Sequence, residues 1–66
     1  MNVKPGDVFL RLSSQPTRWA VEKIFEYPDI PPHARLQRIG YWKATRTIAL
    51  SVLTNQREFQ PVPTGQ

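Results

Sequence analysis

The chain of 66 residues predicts an all-β fold of five short strands, with one short 3₁₀ or helical turn before the last. Three observations carry this expectation. Apolar and β-branched residues recur with period two in short segments. Prolines and glycines fall mostly between those segments and break the chain into turns. Only the stretch SVLTN, Ser51 to Asn55, has the end signals of a helical turn.

The first turn is KPGD, Lys4 to Asp7, in which proline presets one dihedral and glycine allows a positive one. VFLRL follows as a strand, with Val8, Leu10 and Leu12 expected on the core face and Phe9 and Arg11 on the other. SSQPTR, Ser13 to Arg18, is polar and reads as a loop. WAVEKIFEY, Trp19 to Tyr27, is aromatic and β-branched and reads as a second strand. Lys23 interrupts its alternation, and a bulge near Glu22–Lys23 would turn Ile24 inward. A helix is the rival reading, since Ala20, Ile24 and Tyr27 have helical spacing, but Pro28 closes the run and no good N-cap opens it.

Pro28, Pro31 and Pro32 then remove three donors and fix three φ angles, so a stiff connection is expected. HARLQRIG reads as a third strand, with Ala34, Leu36 and Arg38 on one face, and Gly40 opens a loop through Ala44. TRTIAL, Thr45 to Leu50, is the fourth strand. Ser51 is the expected cap of the helical turn and Asn55 its terminator. REFQPV supplies a fifth strand, which Pro61 places at a sheet edge. The expected core is Val8, Leu10, Trp19, Val21, Ile24, Leu36, Ile48, Leu50, Val52, Leu53 and Phe59.

This length suits one domain, taken as residues 1–62, with 63–66 a frayed tail. A chain this small buries only about 60% of the surface it exposes when unfolded, so its core is thin. With no cysteine and one histidine, disulfides, thiolate metal sites and an ordinary zinc site are excluded or nearly so. No signal-like or membrane-spanning apolar run occurs, and the expected location is the cytoplasm. Nine Lys and Arg against five Asp and Glu give a net charge of +4. Such a field favours acidic partners, RNA or DNA among them, and it equally suits the simple solubility of a small domain.

Four strands, one helical turn and a last short strand is the order of SH3-like barrels. The opening KPGDVFLRL resembles the first strand of KOW-type and other bacterial SH3-like domains. Together with W-x-V-x-x-I in the second strand and TIALSVLTNQREFQPV at the end, it resembles a small family of uncharacterised proteobacterial proteins. The resemblance covers about Val3 to Val62 and implies a strongly bent, five-stranded barrel. Members of such folds often bind RNA, DNA, ribosomal proteins or peptides. Ser13, Ser14 and Gln15 stand where the KOW pattern has a glycine.

No catalytic constellation is present. His33 lacks a nucleophile in a recognisable setting and reads as a strand-edge residue bonding to backbone. Glu22 and Glu26 read as solvated charge on an outer face, since a domain of this size has little room for a substrate cleft. No cofactor or metal is implied. The richest segment is RLQRIGYWKATR, which interleaves Arg35, Arg38, Lys43 and Arg46 with Tyr41 and Trp42. Cations meet phosphates and aromatic faces stack on unpaired bases, so these six residues are the candidate nucleic-acid or partner-binding set. The same residue types also dominate protein recognition, and a protein or peptide adaptor is the alternative. A third reading has Trp42 folded back over the sheet to cover a thin core.

Overall fold

The computed structural model describes residues 3–63, and at Trp42 the backbone alone. Of the expected tail at 63–66, residues 64–66 lie outside the described residues. Lys4 to Asp7 forms the expected turn: the Asp7 amide donates to the Lys4 carbonyl at 3.1 Å, and Gly6 takes φ 95°. The Asp7 carboxylate accepts the Lys4 amide at 3.0 Å, which closes the turn a second time. The Gly6 amide donates to the Val21 carbonyl, and the Val21 amide donates to the Asp7 carbonyl, so the turn is fixed to the second strand.

The strands are β1 (Val8–Arg11), β2 (Thr17–Tyr27), β3 (Ile30–Arg38), β4 (Tyr41–Ala49) and β5 (Phe59–Val62), with one helical turn, α1 (Leu50–Leu53), before β5. They form one antiparallel sheet in the order β4-β3-β2-β1-β5. Trp19 to Tyr27 is therefore strand, not helix. Pro61 lies on an edge strand, as its missing donor requires. Among the described residues no ladder joins β4 to β5, and the sheet is not closed into a barrel.

The core consists of Phe9, Trp19, Val21, Ala34, Leu36, Leu53 and Phe59, with Val3, Ile24, Ala44, Ile48 and Leu50 packed at its margin. The face of β1 is the reverse of the expected one. Phe9 is 2% exposed, Leu12 is 36% exposed, and Val8 and Leu10 are half-buried. Register explains it: Phe9 lies opposite Trp19, and directly opposed residues share a face. With Trp19 inside, the larger ring of Phe9 follows and the aliphatic positions turn outward.

The bulge in β2 falls where the charged interruption demands it. The β2–β3 register shifts between Val21 and Lys23, so Glu22 is the extra residue. Ile24 then sits opposite the fully buried Ala34, while Lys23 and Phe25 point to the outer face. The three prolines do not form one connection. Only Pro28 and Asp29 make the turn, and Pro31 and Pro32 belong to β3. They occupy a second register shift, between Tyr27↔Ile30 and Phe25↔His33, and β4 pairing begins only at His33. Two residues without amide hydrogens are tolerated there because no ladder needs their donors.

The fourth strand begins at Tyr41, earlier than expected, because the β3–β4 loop is only Ile39 and Gly40. Gly40 takes φ 93°, a conformation that costs an L-residue about 1–2 kcal/mol. The residues read as loop survive as an irregularity: Arg38 pairs with Tyr41 but Gln37 with Thr45, leaving 42–44 outside the ladder.

The helical turn starts one residue before Ser51. Ala49 occupies the cap position with no side-chain bond, so Ser51 is not the cap. Val52, expected in the core, is 38% exposed; Leu53 is the buried residue of the turn, and Leu50 packs at the core margin. Thr54 closes it through its amide and hydroxyl, both donating to the Leu50 carbonyl. Asn55 then accepts from the Arg57 amide through its side chain and from the Glu58 and Phe59 amides through its carbonyl. This loop carries the chain from the β4 edge to the β5 edge and delivers Phe59 to the core.

Candidate nucleic-acid interface

The two-residue loop at Ile39–Gly40 brings Arg38 and Tyr41 opposite one another. The Arg38 guanidinium stacks over the Tyr41 ring, with its central carbon 4.3 Å from the ring centroid. At that distance the ring quadrupole holds the cation in place while its outer edges stay open to a ligand. Tyr41 is 61% exposed.

Arg18, which the sequence reading did not single out, joins this tip from the start of β2. The Ile39 amide donates to the Arg18 carbonyl at 2.9 Å, tying the hairpin tip to the end of the β1–β2 loop. Pro16, Thr17, Arg18, Arg38 and Ile39 line an open hollow of ≈ 250 Å³ there. The Thr17 hydroxyl at its floor accepts from the Trp19 indole at 2.9 Å, so the core tryptophan steadies the rim. The Arg38 guanidinium over an exposed phenol can hold a phosphate beside one stacked base.

The six expected residues do not form a single surface. Arg38 and Tyr41 meet at the tip, and Lys43 is exposed in the adjoining irregular part of β4. Arg46 lies opposite Leu36, on the core-side face at the sheet edge, where it is exposed. Arg35 points to the outer face: its guanidinium carbon is 5.7 Å from the Phe25 ring, and the Lys23 ammonium is 5.2 Å from the same ring. The side chain of Trp42 lies outside the described residues.

His33 bonds backbone as expected, its Nδ1 donating to the Pro31 carbonyl across 2.6 Å. A carbonyl only accepts, so this contact places the proton of the neutral ring on Nδ1. Among the described residues no three His, Cys, Asp or Glu groups gather as metal ligands. No helix among them is long and apolar enough to cross a membrane.

No protein-family model, curated protein or solved structure matches the chain.

Proposed function

We propose that the chain is a non-enzymatic binding module that takes single-stranded nucleic acid, or the exposed RNA of a ribonucleoprotein, at the β3–β4 hairpin tip. The frame in this reading is a small SH3-like sheet, supported by the strand order and by the helical turn before β5. The observation that carries the reading is the Arg38–Tyr41 stack at the hairpin tip. The cations neutralise phosphates, the phenol offers a stacking face, and the short loop holds both in fixed register. Lys43 extends the positive field along β4. Arg35, on the other face, takes no part.

Two or three phosphate contacts and one stacked base support weak binding, in the range of about 10⁻⁴–10⁻⁶ M typical of non-specific association. Anisotropy titrations of a labelled oligouridylate at increasing salt provide the test. The logarithm of the binding constant is expected to fall against the logarithm of salt with a slope of about −1.4 to −2.1, for two or three neutralised phosphates. Duplex DNA of matched length is expected to bind more weakly, because its bases are not free to stack. Affinity independent of salt would remove the proposal.

A further inference from the structure

The outer face of the β2–β3 hairpin carries a second surface, at the opposite end of β3 from the Arg38–Tyr41 tip. Phe25, Tyr27, Ile30, His33 and Thr47 line an open, largely apolar hollow of ≈ 300 Å³. That is the lower end of the size range of ligand pockets. Tyr27 is 57% exposed and Ile30 50%, so the described residues leave this apolar area uncovered. Lys23 and Arg35 both stand over the Phe25 ring and put two positive charges at the border of the hollow. Glu26, between Phe25 and Tyr27, is directed to the other face by strand alternation.

We propose that this hollow is a docking site for a short peptide segment that inserts one large apolar side chain and flanks it with acidic residues. Charge selects this occupant. The apolar floor takes the anchor, and Lys23 and Arg35 take the flanking carboxylates. A second copy of the chain would instead bring each Lys23–Arg35 pair against its like, on a molecule already at net +4. Strand addition is disfavoured at this end of β3, because Pro31 and Pro32 offer no amide donors. Docking therefore runs through side chains.

Three capped hexapeptides, titrated into isotope-labelled protein and followed by amide shifts, test the proposal. The probes are Asp-Asp-Leu-Phe-Asp-Asp, its form with lysine in place of aspartate, and its form with two alanines at the centre. The first is expected to shift the amides of Lys23, Phe25, Ile30, His33 and Thr47, and to bind about tenfold or more tightly than either other peptide, a gap of about 1.4 kcal/mol. Tyr27→Ala and Ile30→Ala, both at exposed positions, are expected to weaken it about tenfold with unchanged circular dichroism. Lys23→Glu combined with Arg35→Glu is expected to reverse the preference toward the lysine peptide. Shifts confined to Arg18 and 38–41, equal binding of the alanine peptide, or no shift at millimolar peptide would each overturn the proposal. So would shifts at these five residues that track protein concentration without peptide, the mark of a second copy, or a stronger response there to oligouridylate than to the acidic peptide.

Discussion

Phe9→Ala is expected to leave the chain without a cooperative folded state at room temperature, whereas Leu12→Ala changes stability by less than about 0.5 kcal/mol. Phe9 is one of the seven buried residues that form the core among the described residues. Truncating a buried Phe costs about 3–5 kcal/mol through lost transfer energy and the cavity left behind. A domain of this length has about 3–10 kcal/mol of stability in total, at about 0.05–0.15 kcal/mol per residue. The loss is therefore comparable to the whole. Leu12 lies outside β1 and is substantially exposed. Urea unfolding followed by tryptophan fluorescence distinguishes the two, since Trp19 is buried opposite Phe9. A larger loss for Leu12→Ala than for Phe9→Ala would invert the assigned faces of β1.

Tyr41→Ala is expected to weaken oligouridylate binding by about 5- to 150-fold, which corresponds to the roughly 1–3 kcal/mol measured for a base–aromatic stack. The ring is mostly exposed and belongs to no core contact, so its removal is expected to move the unfolding midpoint little. Arg38 loses its resting partner in the same variant, and part of the effect passes through the freed guanidinium. Tyr41→Phe keeps the ring and the stack and is expected to retain most of the affinity. Loss of binding in Tyr41→Phe as well would assign the contact to the hydroxyl and not to the ring face.

The fold was legible in sequence wherever a residue type has few places to go. Lys23 cannot occupy a core-facing strand position without a large desolvation cost, and a bulge beside it was the available remedy. Pro61 had to fall on an edge, and β5 is one. The facing of β1 was not legible, because alternation separates Val8, Leu10 and Leu12 from Phe9 without saying which set is inside. That choice belongs to the register with Trp19, a contact ten residues away. Pro31 and Pro32 read as connection because a strand with two missing donors is unusual. They are accommodated only because β3 extends past the end of β4.

The candidate site was legible in part for the same reasons. Arg38 and Tyr41 are close in sequence, and the glycine between them allows a tight turn that brings them face to face. Arg18 is twenty residues from Arg38 and reaches the tip only through a backbone bond to Ile39. Arg35 was grouped with Arg38 by proximity in sequence, yet three positions along a strand place two side chains on opposite faces. Phe25 and Tyr27 alternate with Trp19 and Val21 in sequence, on the face that Lys23 interrupts. The bulge at Glu22 turns them outward and creates the apolar hollow.

The proposal that nucleic acid is taken at the hairpin tip is tested most directly by titrating isotope-labelled protein with a short oligouridylate at low salt and mapping the amide shifts. The account predicts changes centred on Arg18 and residues 38–43, with the Phe25–Tyr27–Ile30 face unmoved. Changes spread evenly over all lysines and arginines, or absent from residues 38–43, would contradict it.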